Sequence, residues 1–207
     1  MIGKRQRAPA AMLALALCGS ARASGLLGID HALAPDDSGV WARRYTLGLE
    51  YGVVAVDVAA AAWYGADSEP GKTYWQSADA IIAGQIAAQA AKYAFGRERP
   101  SQTSDPNQWF HGLRAQSFPS GEVTLQASFV TPFVIADAGH NPWMLALELL
   151  PAYDAAARVR EGAHWQSDVL AGWALGTGFG YLAAERSEPF FLTLLPHGFG
   201  VGIRSRF

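Results

Sequence analysis

Apolar residues run through this chain in long, alanine-rich stretches, broken by short polar or Gly/Pro punctuation, and this pattern predicts helices over most of its length. Residues 24–44 carry little periodicity and read as a lead-in arm, with Asp36, Asp37 and Ser38 as N-cap candidates for the first helix. That helix is predicted from Tyr45 to Ala66, and on it Glu50 and Asp57 fall seven apart along one stripe and read as a solvated edge. Asp67 to Lys72, with Pro70 and Gly71, predicts a turn. A second helix is expected from Tyr74 to Phe95, with Gln85, Gln89 and Lys92 forming a polar stripe at i, i+4 and i+7; Gly96 stops it.

Residues 101–118 form the longest stretch without a periodic pattern between the predicted helices, and Trp109, Phe110 and His111 within it argue for an ordered flap. Pro119-Ser120-Gly121-Glu122 then opens a third helix reaching about Ala138. Asn141-Pro142 caps a fourth that runs to Arg158–Arg160, and His164 starts a fifth ending near Ala184. Short connections make these helices antiparallel neighbours. The tail changes period: Phe199, Val201, Ile203 and Phe207 alternate with Gly200, Gly202, Arg204 and Arg206. With residues 189–195 before it, this predicts a small hairpin. The fold class expected is therefore mainly α, a compact antiparallel bundle of five to six helices with a short C-terminal β-hairpin.

Composition sharpens this picture at the amino end. Lys4, Arg5 and Arg7 precede a charge-free, Ala/Leu-rich run from Ala8 to Ala21, and Ala21-Arg22-Ala23 supplies small residues where a signal peptidase cuts. Residues 1–23 are expected to be an export signal, leaving 24–207 as one domain. Cys18 admits lipid modification as an alternative, although Leu17 before it is bulky for that processing. Losing Lys4, Arg5, Arg7 and Arg22 leaves 12 Lys+Arg against 18 Asp+Glu, a formal −6, which argues against nucleic acid as a partner. It also removes the single cysteine, so disulfides and thiolate metal sites are excluded from the mature chain. Half of the chain is hydrophobic, yet its longest charge-free run, Val169 to Ala184, is 16 residues, short of the roughly 20 that a spanning helix wants. The expectation is a bundle that meets water, with peripheral membrane contact left open.

Three clusters carry candidate chemistry. Lys92 and Arg99-Pro100 are separated by six residues, Ser120-Gly121-Glu122 sits at a helix start, and Arg158, His164 and Asp168 close the set. On a helix, positions four apart share a face, so Asp168 can reach and orient the imidazole of His164; Gly162 offers the break that lets Arg158 turn back toward them. Three cations, a hydroxyl, helix-start N–H groups and an oriented imidazole suit a phosphoryl-like oxyanion.

The order K-x6-R-P, P-S-G, R-x5-H-x3-D resembles the type 2 phosphatidic acid phosphatase (PAP2) superfamily, which includes bacterial acid phosphatases and vanadium haloperoxidases. The resemblance implies a metal-independent phosphatase without cofactor, acting on a phosphorylated small-molecule or lipid substrate. Lys92, Arg99, Arg158, Ser120 and Gly121 would hold the phosphoryl oxygens, His164 would form a phosphohistidine, and Asp168 would orient it. Two positions depart from the family pattern. Ala157 stands where serine usually precedes Arg158, and Glu122 stands where a histidine usually protonates the leaving oxygen. Glu122 can be that acid only if its pKa is raised. The helix start and nearby arginines oppose this and a bound phosphate dianion favours it; otherwise Glu122 is simply a favourable helix-start charge, and His111 is the substitute acid. Two alternatives stay open: a phosphate-binding or envelope-structural bundle impaired in catalysis, and a vanadate-dependent haloperoxidase on the same scaffold.

Overall fold

The computed structural model describes residues 25–65 and 67–187, together with the backbone of two short strands further on. The expected signal over residues 1–23, with Cys18, lies outside the described residues, as does the tail after Val201. Among the described residues there are five α-helices: α1 (Arg43–Tyr64), α2 (Glu69–Phe95), α3 (Gly121–Asp137), α4 (Leu149–Arg160) and α5 (Gln166–Ala184). Two strands, β1 (Leu192–Leu195) and β2 (Gly198–Val201), pair antiparallel where the alternating pattern predicts a hairpin.

Helix α3 is the centre. Every residue from Val123 to Pro132 is buried, so over this stretch it has no solvent face, and α5, α2, α4 and α1 all pack against it. Its two buried threonine hydroxyls are satisfied within the helix: Thr124 Oγ1 donates to the Ser120 carbonyl and Thr131 Oγ1 to that of Ala127. Val53, Leu125, Phe129 and Val130 form one apolar cluster; Val123, Ala155, Val159 and Val169 form a second, beside the candidate site. Full burial of a side chain of this size contributes roughly 1.5–3 kcal/mol.

Gly172, Gly176 and Gly180, one helical turn apart, let α5 meet α3 backbone to backbone. A Cβ at Gly176 would stand 2.3 Å from the Thr124 carbonyl oxygen, and one at Gly172 would stand 2.5 Å from that of Ser120. Gly176→Ala should therefore force the helices apart and cost about 1–3 kcal/mol, read as a lowered midpoint in thermal or urea unfolding. An unchanged midpoint would mean that the two helices have room to spare at this contact.

Four local expectations are corrected. The turn expected over Asp67–Lys72 is instead the first turn of α2: Ser68 Oγ accepts from Gly71 N at 3.1 Å, and Pro70 sits where its missing N–H has no helical partner anyway. The fourth helix is split. Asn141 caps Trp143 N as expected, but Pro142–Glu148 is 3-10 and the α-helix begins only at Leu149, two residues before Pro151. Asp57 is no solvated edge, being 1 % exposed, because α1 packs on α2 along that stripe. With Asp57 turned inward, the 22-residue α1 is long and apolar enough, by length and composition, to cross a membrane. Finally, Asp36 does not cap α1, which starts behind Ala42 without a side-chain cap; it accepts from Ser38 and pairs with Arg160, tying the arm to the end of α4.

Candidate active site

The last turn of α2 and its abrupt end position the first cluster. Gly96 takes the left-handed conformation (φ 47°), satisfying the Lys92 carbonyl and turning the chain away from the helix axis. Arg97 therefore goes inward while Arg99 returns to the level of Lys92. Lys92 Nζ donates to the Gln116 carbonyl at 2.8 Å, and Arg99 Nη2 reaches the same oxygen at 3.4 Å. The flap that holds this carbonyl is ordered by edge contacts among Phe95, Trp109 and Phe118, as its aromatics suggest.

The second cluster lies at the start of α3, whose first N–H groups lack intrahelical carbonyls. Ser120 N donates to the Asp168 carbonyl at 2.9 Å, and its Oγ is buried without a partner among the described residues. Gly121 lies between Gln85 and Lys92: a Cβ there would be 3.6 Å from Gln85 Oε1 and 3.7 Å from Lys92 Cε. The polar stripe of α2 thus faces this helix start, with Gln85 Nε2 donating to the Gly121 carbonyl at 2.7 Å.

The third cluster uses a turn where the sequence suggests one helix face. Gly162 (φ 68°) ends α4, and the N–H groups of Ala163 and His164 fold back onto the Arg158 carbonyl. His164 therefore precedes α5, and Asp168 occupies that helix's first turn. The His164 Nδ1 to Asp168 Oδ2 distance is 3.7 Å, close but beyond hydrogen-bond reach. Asp168 is otherwise fully engaged: Oδ1 accepts from Arg97 at 2.5 Å, and Oδ2 accepts from Ser117 Oγ at 2.5 Å and Trp165 N at 2.9 Å. Arg158 is paired with Glu161, and its Nε is 3.6 Å from Glu122.

Lys92, Arg99, Ser120, Gly121, Glu122, Arg158, His164 and Asp168 are thus brought to one end of the bundle. Lys92, Arg158 and His164 are each less than 10 % exposed, so charges act there through protein rather than water. Burial, helped by the Arg99 charge, pushes Lys92 down to about 8. Burial and then Arg158 also lower Arg99. His164 is pushed down to about 4, chiefly by burial, with Asp168 opposing and Lys92 assisting, so at neutral pH its imidazole is uncharged. Burial would raise Asp168, but His164, Arg97 and Ser117 outweigh it and keep it ionised. Glu122 behaves likewise: burial would raise it, but the hydrogen bonds and charge of Arg43, together with Arg158, hold it below the usual carboxylate range. Arg43 grips Glu122 with both nitrogens, at 2.5 and 2.8 Å. His111 stays on the flap, half-exposed, 3.5 Å from Glu98.

Three contributors escape the motif spacing. Arg97 lies inside the Lys92–Arg99 run and could be counted there as a further cation; nothing in the sequence distinguishes Asp30 or Arg43. Arg97, Asp30 and Asp168 are all completely buried, with Arg97 Nη2 2.7 Å from Asp30. Removing one member of such a pair costs about 3–5 kcal/mol.

Comparison with known proteins agrees with this geometry. Over 113 residues (54 % of this chain, 23 % of the relative) it is 31 % identical to "Lipid A 1-phosphatase" of Porphyromonas gingivalis. Over 109 residues (50 % and 43 %) it is 32 % identical to a protein of the same name from Rhizobium johnstonii. Over 108 residues (51 % and 49 %) it is 27 % identical to "Undecaprenyl-diphosphatase" of Sulfolobus acidocaldarius. The chain spans less than half the length of these curated relatives. The crystal structure of Aquifex aeolicus LpxE shares the fold, with TM-score 0.51 and 17 % identity over 69 % of this chain and 85 % of that one. The family model of the PAP2 superfamily matches residues 73–189, more than half of the sequence and all three clusters; this chain belongs to the PAP2 superfamily.

Proposed function

We propose that this chain is a phosphatase that removes a phosphoryl group from a lipid-linked phosphate or diphosphate through a phosphohistidine at His164. The observation that supports the reading is that Lys92, Arg99, Ser120, Gly121 and Arg158 share one end of the bundle with an uncharged imidazole backed by ionised Asp168. The cations and helix-start N–H groups would take the non-bridging oxygens. His164 Nε2 would then attack phosphorus as the bond to the leaving oxygen breaks, with Asp168 stabilising the cationic ring. Glu122 would give the leaving oxygen a proton. Water would next attack the phosphohistidine, Glu122 would take that water's proton, and inorganic phosphate would leave with the imidazole restored.

The lipid class is supported by the relatives' names and by the exposed apolar side chains. Tyr51, Val56, Val58 and Trp63 stand out from α1, and Trp143 and Leu149 from the segment before and at the start of α4. The signal-like residues 1–23 support export to the periplasm. Purified protein should release phosphate from detergent-dispersed lipid phosphates and diphosphates at least tenfold faster than from soluble sugar phosphates. Release from neither class would sink the reading. One observation favours a second reading, a phosphate-binding bundle without turnover: Glu122 is held as a carboxylate where the family's acid is usually a histidine. Binding of orthophosphate without any phosphate release would select it.

A further inference from the structure

The amino-terminal arm reaches under the candidate site at two residues. Asp30 Oδ2 accepts from Arg97 Nη2 at 2.7 Å and Ser167 Oγ at 2.7 Å, and its Oδ1 accepts from Ser167 N at 2.8 Å. Next to it, His31 exchanges two hydrogen bonds with the Gln166 side chain, each 3.0 Å. Ser167 N is one of the N–H groups that the first turn of α5 cannot satisfy, and Trp165 in the N-cap position has no side-chain oxygen with which to bind it. The cap comes instead from a residue more than a hundred positions away. Beyond the cap, Arg97 carries Asp30's influence onward: its Nη1 donates to Asp168 Oδ1 at 2.5 Å and to Ser167 Oγ at 2.8 Å, while Nε and Nη2 share the Pro106 carbonyl. Trp109 lies under the guanidinium with its ring centre at 4.3 Å, so Arg97 has little freedom to move.

We propose that Asp30 is a positioning residue for the reaction: through Arg97 and the first turn of α5 it holds Asp168 in the orientation that addresses His164. Asp30 lies outside the residues matched by the family model, so this is a contribution of this chain's own arm. Charge balance points the same way. Two buried carboxylates face one guanidinium, leaving one negative charge that is neutralised when the imidazole becomes a cation on taking up the phosphoryl group. The geometry leaves room for such control, because Asp168 stands 3.7 Å from His164 Nδ1 and a small rotation decides whether the hydrogen bond closes.

The inference rests on His164 being the nucleophile, and its test separates the two claims. Asp30→Asn, Ser167→Ala and His164→Ala would be assayed in the full chain for kcat, KM, orthovanadate inhibition and thermal midpoint. Asp30→Asn should lower kcat about 10- to 100-fold, with KM and vanadate inhibition within about twofold of wild type, because the phosphate-holding groups are untouched. Ser167→Ala keeps both charges but loses the bridging hydroxyl, and should lower kcat less, again with KM unchanged; it carries the test alone if Asp30→Asn does not fold. A folded Asp30→Asn, or in its absence Ser167→Ala, that keeps wild-type kcat and merely melts earlier would reduce Asp30 to a structural role. If His164→Ala keeps its turnover, the nucleophile assignment falls and this inference with it.

Discussion

His164→Ala should abolish turnover, with a loss of roughly 10³–10⁶-fold, while the bundle stays folded. The ring is almost completely buried, but its 3.7 Å approach to Asp168 is no hydrogen bond, and the bonds of Asp168 to Arg97, Ser117 and Trp165 remain without it. Protein labelled with a radioactive phosphoryl donor should carry an acid-labile, alkali-stable phosphate that is absent from this variant. Label persisting at another residue would refute the assignment. The pH dependence is set by the burial. Because His164 gains its proton only near 4, the acid limb of kcat/KM should fall near pH 4 and not near the ordinary histidine value of 6.5. A further fall should set in near 8, where Lys92 loses its charge and one phosphate anchor. The same lowering has a stability consequence with a definite sign. Between pH 6.5 and 4 the unfolded chain takes up a proton at His164 and the folded chain does not, so stability falls as pH drops through that window. His164→Ala should flatten this part of the stability curve.

Glu122→Gln should slow hydrolysis of alkyl phosphates by roughly 10²–10⁴-fold and spare nitrophenyl phosphate, whose leaving group needs little protonation. Glutamine keeps the size and the helix-start position but has no proton to give. In the free protein Glu122 is a carboxylate, clamped by Arg43 and approached by Arg158. Its role as acid therefore requires the phosphate dianion to draw Arg158 away and raise its proton affinity by like-charge repulsion. Glu122→His should restore activity near neutrality, because it supplies the proton donor usual in the family and removes an anion that faces phosphate. Wild-type rates for Glu122→Gln on an alkyl phosphate would leave Glu122 as the counter-ion of Arg43 alone, and the acid would be sought elsewhere, beginning with His111.

Much of this molecule is legible in the order of its residues. Helix periodicity and the punctuation at Gly96, Ser120 and Gly162 depend on backbone preferences that act within a few residues, so five helices and their approximate ends can be read from sequence. The three clusters are legible for a related reason: each lies at a helix end, where spacing along the chain converts directly into spacing in the structure. Spacing does not tell what a side chain meets across the bundle. Asp57 looks like one of two charges on a solvated stripe until α2 covers it. His164 and Asp168 look like neighbours on one helix, whereas a turn places the ring ahead of α5. Arg43 and Glu122, and Asp30 with Arg97 and Ser167, pair over separations of 79, 67 and 137 residues. Such contacts are decided by burial: a charge taken out of water is tolerated only beside a partner, and which partner is available depends on how α1 and the arm settle against α3 and α5. The local sequence thus determined the helices and the chemical types gathered at their ends. The tertiary structure alone decided which of those charges stay paired, which carboxylate is held ionised, and which imidazole is left uncharged.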